Sequence, residues 1–109
     1  MLINCHGDTP LVLDTIAAAR PHFDNILAVV DGTSWDGWGA KADLGVAKLH
    51  GFSHGVPSAP WRNYTLGLRE LHRTYPADWY CYAEPDTLFC SGDFKEDLEK
   101  FSKAGVWAA

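Results

Sequence analysis

The sequence predicts an α/β protein: an open, mostly parallel sheet of four main strands with helices on both faces. Three observations lead there. Short apolar runs alternate with longer stretches whose apolar residues recur at helical spacing, so that strand and helix alternate four times. Proline and glycine punctuate the boundaries of these segments. Of 109 residues, 47% are hydrophobic and 21% charged, enough apolar side chain to bury the core of one domain and too much for a disordered chain. Consecutive parallel strands require right-handed crossovers, which carry the helices over the sheet.

Each element has its own signal. Leu2–Cys5 is a short apolar strand that runs into the loop His6-Gly7-Asp8. Thr9 is the expected N-cap of the first helix and Pro10 suits its first position. Leu13, Ile16, Ala17 and Arg20 follow at helical spacing, and Pro21 ends the helix. Residues 25–30 (NILAVV) read as a buried strand. Residues 31–39 form a long glycine-rich loop, residues 40–44 a short helix and residues 46–50 the third strand. After a loop at 51–57, Ser58 is the expected cap of a helix with Pro60 just inside it. Trp61, Tyr64, Leu68, Leu71 and Tyr75 mark its apolar face, and Pro76 closes it. Residues 78–83 (DWYCYA) are aromatic and strand-like. A short extended piece at 87–90 and a turn at Ser91-Gly92 precede the last helix. Asp93 caps it, Phe94, Leu98 and Phe101 lie on one face, and Gly105 ends it. Residues 106–108 read as the start of another strand. The arrangement is Rossmann-like in this general sense.

Charge and composition narrow the function. A net charge of −5 is a poor match to a phosphate backbone, so no nucleic-acid partner is expected. No apolar run reaches the ~18–20 residues of a membrane span, so no transmembrane segment is expected, and the N-terminus lacks the basic and apolar regions of a signal peptide. The cysteines Cys5, Cys81 and Cys90 are odd in number and widely spaced, which fits free thiols and a cytoplasmic location; Cys5 and Cys81 sit in strands and read as core. The sequon at Asn63-Tyr64-Thr65 lies in a helix and matters only in a secreted protein. Both ends of the chain are apolar, and the expectation is that the chain stops before its fold does.

In an open α/β sheet, ligands bind outside the carboxyl ends of the strands. The segments following the four strands are His6-Gly7-Asp8, Asp31-Gly32-Thr33-Ser34, Ser53-His54-Gly55 and Glu84-Pro85-Asp86, which gather carboxylates, glycines and histidines at one rim. Glu84 and Asp86 are two apart on an extended chain stiffened by Pro85, so they point to one side. Two carboxylates so placed can hold Mg²⁺ or Mn²⁺, or they are two solvated acids on a proline turn. Asp31 can accept hydrogen bonds from a ribose or base, or it forms an Asp-Gly turn. Arg62 and Asn63 lie in the first turn of the third helix near the same rim, where they can brace a phosphate or the acidic loop, or serve as a surface charge and a local cap. His50 and His54 are separated by Gly51 and lack further ligands at zinc spacing. His22 and His72 read as surface or half-buried. Trp35, Trp38 and Trp61 lie near the rim, as stacking platforms or lids; Trp79 and Trp107 read as core. No G-x-S-x-G, P-loop or G-x-G-x-x-G is present.

Taken together, His6-Gly7-Asp8-Thr9-Pro10, the stretch from Ala28 through Asp31-Gly32-Thr33-Ser34 to Asp36-Gly37, Pro60-Trp61-Arg62-Asn63, and the stretch from Asp78 to Glu84-Pro85-Asp86-Thr87 resemble the N-terminal, nucleotide-sugar-binding half of GT-A-fold glycosyltransferases of the family-2 type. The resemblance spans nearly the whole chain. It implies that His6, Gly7 and Asp8 contact the nucleotide, that Asp31 with Gly32 binds base or ribose, and that Arg62 and Asn63 match the family's Arg-Asn helix start. It further implies that Glu84 and Asp86 match its DxD metal motif, with Asp86 the direct ligand of Mg²⁺ or Mn²⁺ and Glu84 on the ribose or the metal. The sequence departs from DxD by Glu at the first position and Pro in the middle. The acceptor half that follows the motif in the family, with its base, has no counterpart here, and no catalytic residue is assigned.

The expected function is therefore a glycosyltransferase domain that binds a UDP- or GDP-sugar through a divalent metal and passes the sugar to an acceptor. Two alternatives stand beside it: a non-catalytic nucleotide- or metal-binding or oligomerising fragment, and a metal-dependent phosphotransfer or hydrolytic domain using Glu84 and Asp86. An uncovered sheet edge leads to the further expectation of a homodimer.

Overall fold

Two cores, one on each face of the sheet, follow from the strand pattern. In a computed structural model that describes residues 1–89 and 93–105, strands β1 (Leu2–Cys5) and β2 (Leu27–Val30) are buried throughout. Successive side chains of a strand point to opposite faces. Ile3, Cys5, Ala28 and Val30 accordingly pack on Val12, Ile16 and Ala19 of helix α1 (Thr9–Ala19). Leu2, Leu27 and Val29 pack instead on Leu71 of helix α3 (Ala59–Thr74). Gly67 lets α3 approach closely, because a Cβ there would collide with the side chains of Leu2 and Val29. Strands β3 (Ala47–His50) and β4 (Tyr82–Ala83) complete an all-parallel sheet in the order β3-β2-β1-β4. The expected open parallel sheet with helices on both faces is what forms.

The order fixes where a ligand can enter. From β1 the chain steps to β2 and on to β3, then returns across the sheet to place β4 on the other side of β1. Register pairs Leu2 with Tyr82 and Leu27 with Ala47. The direction of winding thus reverses between β1 and β4, and crossovers of one hand in opposite directions put α1 and α3 on opposite faces. A reversal of this kind opens a crevice at the carboxyl ends of the two strands.

Several local expectations are corrected. Asp8, not Thr9, is the N-cap of α1, with Pro10 in the first turn. The buried face of α1 is Val12, Thr15, Ile16 and Ala19, while Leu13 is 40% exposed, because the sheet lies under the stripe one residue away from the one read. Residues 31–39 are not a loop. Asp31 caps a single helical turn, α2 (Gly32–Ser34), by accepting from the Thr33 N–H at 2.8 Å, and the chain continues as a π-helical turn (Trp35–Gly39). Residues 40–44 have no helix; the Lys48 ammonium bonds the carbonyls of Gly39 and Ala42 there instead. Of the strand read at 78–83 only Tyr82–Ala83 pair with β1, and Trp79 is half-buried, its indole N–H donating to Ser102 Oγ at 2.6 Å. Ser58 does precede α3, in the left-handed region at φ 59° and without a side-chain cap bond. Helix α4 (Phe94–Lys103) follows Asp93 as read. Residues 87–89 are irregular; Cys90, Ser91-Gly92 and the strand read at 106–108, with Trp107, lie outside the described residues. Among the described residues no helix is long and apolar enough to cross a membrane.

Candidate functional site

At the β1/β4 reversal the structure carries a cleft of about 890 Å³. Its floor is the end of β1 and the start of the following loop, where Asn4 gives way to His6, Gly7 and Asp8. Gly7 adopts φ 73°, a conformation glycine takes without a side-chain penalty. Helical residues hold this turn from two sides: the Gly7 N–H donates to Ser34 Oγ at 3.1 Å, and the Trp38 indole N–H donates to the Gly7 carbonyl at 2.8 Å. The unexpected helical turns at 32–39 therefore brace the first loop of the cleft.

Asp31 ends β2 and is 4% exposed. Its Oδ1 accepts from the Thr33 N–H and lies 3.5 Å from Nδ1 of His54, whose side chain is largely open to the cleft. Gly32 sits against the loop after β3, where a Cβ would collide with Ser53. It supports the wall without lining the cleft.

The acidic turn forms the opposite wall. The Tyr82 hydroxyl donates to Glu84 Oε1, and Glu84 Oε2 lies 3.5 Å from His6 Nε2. Glu84 also closes a turn with Thr87: its N–H donates to Thr87 Oγ1 and its carbonyl accepts from the Thr87 N–H, both at 3.0 Å. The Thr15 hydroxyl of α1 bonds the Pro85 carbonyl from below. Burial, reinforced by the adjacent Glu84 carboxylate, pushes the Tyr82 phenol well above its ordinary range, while the nearby Asn4 amide opposes that shift. Asp86 is exposed at the mouth.

Of the residues read from the sequence, His6, Gly7, Asp8, Asp31, Asn63, Glu84 and Asp86 meet in this one cleft. Arg62 does not. Its Nε donates to the Pro57 carbonyl at 3.1 Å and its guanidinium lies over the Phe52 ring. Asn63 lines the cleft but is bound up in the scaffold: its Oδ1 accepts from the Phe52 N–H at 2.6 Å and its Nδ2 donates to the Phe52 carbonyl at 3.1 Å. His50 stacks on Trp35 with centroids 4.8 Å apart, whereas His54 faces Asp31, so the two histidines part company. Trp61 is 73% exposed and outside the lining. Four participants escaped the sequence reading: Asn4, Thr15, Tyr82, and His54 as a partner of Asp31. The one available signal was Asn4, the lone polar side chain in an otherwise apolar strand.

The lining holds four carboxylates (Asp8, Asp31, Glu84, Asp86) and two imidazoles, with no lysine or arginine. Among the described residues no three His, Cys, Asp or Glu side chains cluster closely enough to hold a metal by themselves. This set fits a hard cation that takes the rest of its shell from water and phosphate oxygens, as Mg²⁺ commonly does. A second cleft of about 570 Å³ lies at the amino ends of β2 and β3, away from the loops that carry the acidic residues.

No protein family, curated protein or solved structure matches the chain.

Proposed function

We propose that this chain is the donor-binding part of a glycosyltransferase of the GT-A type, which binds a UDP- or GDP-sugar with Mg²⁺ or Mn²⁺ and presents the sugar to an acceptor hydroxyl. The observation that carries the reading is the convergence of the loops after β1, β2 and β4 on one cleft at the sheet's reversal. A nucleoside diphosphate entering a cleft with four carboxylates and no lysine or arginine meets net repulsion. A divalent cation turns that repulsion into attraction. When bound, such an ion supplies Lewis-acid chemistry, neutralising charge on the departing diphosphate.

Each residue then has a task. Asp86, exposed at the mouth, is the direct ligand for the cation. Glu84, already engaged by Tyr82 and His6, keeps the acidic turn oriented and offers its remaining lone pairs to a ligand hydroxyl. Asp31 has an oxygen left for a base or ribose after Oδ1 binds the Thr33 N–H. The Gly7 turn leaves room for close approach, since a Cβ there would meet nothing.

The test is calorimetry with UDP and GDP, each with and without Mn²⁺. The expected result is nucleotide binding that requires the metal and is lost in Asp86→Asn. Absence of binding to either nucleotide, with or without metal, overturns the reading.

One observation favours a second reading, metal-dependent phosphoester hydrolysis. His54 is oriented by Asp31 through Nδ1, which leaves Nε2 free to take a proton from water. Turnover of a generic phosphoester that fails in both Asp86→Asn and His54→Ala, without metal-dependent nucleotide affinity, would select it.

A further inference from the structure

Asn4 is 6% exposed, lines the cleft, and its Oδ1 is the one buried side-chain polar atom without a hydrogen-bond partner among the described residues. The orientation of its amide is set by its neighbours. The Tyr82 hydroxyl spends its proton on Glu84, so toward the neighbouring Asn4 amide its oxygen offers only lone pairs, which favour the N–H₂ end on that side. The N–H₂ end of the amide therefore faces Tyr82 and Oδ1 is left over. A buried acceptor left unmade is a standing cost to the fold, and such groups are rare enough to need a reason. An apolar side chain would be the natural occupant of this position in a strand that otherwise reads Leu-Ile-Cys.

We infer that Asn4 is a ligand-reading residue whose Oδ1 receives a hydroxyl of the bound nucleotide sugar. The inference rests on the proposed donor-binding function and adds a contact to it. The chemistry of the surroundings selects a hydroxyl. By register Asn4 and Glu84 lie side by side, since Leu2 pairs with Tyr82 and Ile3 with Ala83. The Glu84 carboxylate and Asn4 Oδ1 are both acceptors, a pair that suits a group bearing neighbouring O–H donors. Two parts of a nucleotide sugar have that character, the ribose and the transferred sugar.

The experiment measures two properties of Asn4→Val: its melting temperature without ligand and its affinity for UDP and UDP-glucose, both with Mn²⁺. Removing an unsatisfied acceptor raises the melting temperature by about 4 °C, while affinity falls tenfold or more. Weakened UDP binding assigns the hydroxyl to the ribose; weakening confined to UDP-glucose assigns it to the sugar. A lower or unchanged melting temperature means that Asn4 is held for the fold, and unchanged affinity for both probes means that its oxygen meets no ligand; either result overturns the inference while leaving the donor-binding reading intact. If Asn4→Val does not fold, Asn4→Ala, which cannot overpack, decides on affinity alone by the same criterion. A wild-type protein that binds neither UDP nor GDP, with or without Mn²⁺, overturns the donor-binding reading, and this inference with it; one that binds GDP alone is put to the same test with GDP and a GDP-sugar.

Discussion

Glu84 Oε2 lies 3.5 Å from Nε2 of His6, and this contact joins the end of β4 to the loop after β1 across the point where the sheet reverses. Both side chains are substantially exposed, His6 at 56% and Glu84 at 39%. Exposed pairs of this kind contribute little to stability, in the range of ~0.2–1 kcal/mol. Their use is to orient the wall of the cleft. His6→Ala and Glu84→Gln are therefore expected to unfold in urea within about 1 kcal/mol of wild type. Each should nonetheless weaken metal-dependent UDP binding by about tenfold, the effect of losing one oriented contact. A large loss of stability in either variant would assign the pair to the scaffold.

Asn63 is the reverse case. It is 2% exposed, and both polar ends of its amide are committed to the backbone of Phe52. This clasp fixes the turn after β3 against α3. Asn63→Ala leaves the Phe52 N–H without its acceptor, while the Phe52 carbonyl keeps the Gly32 N–H at 3.2 Å. The expected cost is about 2–3 kcal/mol, from one orphaned donor and one weakened bond. Urea unfolding followed by tryptophan fluorescence measures it. A variant as stable as wild type that has lost only nucleotide affinity would restore Asn63 to the role that the family resemblance gives it.

The alkaline limb of the stability curve has a specific cause. Burial, followed by the Glu84 charge, pushes the Cys5 thiol up to about 12 from its ordinary value of 9.0. A group whose folded pKa is raised contributes stability that is fully present below its unfolded pKa and lost as pH rises through the folded value. Wild-type stability should accordingly fall between about pH 9 and 12, beyond what other groups contribute. Cys5→Ala should flatten that decline while starting from a lower plateau, because it also opens a cavity in the core. Parallel urea titrations at pH 8, 9 and 10 test the difference. Equal slopes for the two proteins would remove Cys5 as the cause.

The fold was legible where one physical rule acts alone. The apolar runs of β1 and β2, buried on both faces, announce a parallel sheet, and the reversal rule locates the rim before any side chain is assigned. The failures have tertiary causes. Residues 31–39 carry three glycines and read as a loop, yet Asp31 caps them, Trp35 stacks on His50 and Trp38 reaches the Gly7 carbonyl. Arg62 and Asn63 are adjacent in sequence, but one turns outward to Pro57 and Phe52 while the other is buried under the same loop. Spacing places a residue on a helix end without saying which neighbour claims its side chain. The four-residue network of Asn4, Tyr82, Glu84 and His6 depends on the β1/β4 register, which a single sequence does not display.

Thr15 draws these links together. It sits on the buried face of α1, where a β-branched residue is only an average helix former. Its hydroxyl lies between the carbonyl of Leu11, at 3.0 Å, and that of Pro85, seventy residues away in the acidic turn. Pro85 is itself buried, so its carbonyl gains more from that bond than it would at the surface. Thr15→Val keeps shape and branching but removes the donor. The expected loss is about 1–3 kcal/mol, the cost of a buried carbonyl left without its partner. The turn bearing Glu84 and Asp86 would then be held by Thr87, Tyr82 and the exposed His6 contact, with greater freedom in the position of both carboxylates. Metal-dependent nucleotide affinity should fall together with stability, whereas Thr15→Ser, which keeps the donor, should retain the affinity at some cost in packing. Calorimetry and urea unfolding on the two variants separate these effects. Equal affinities for Thr15→Val and wild type would mean that α1 supports the acidic turn without setting its geometry.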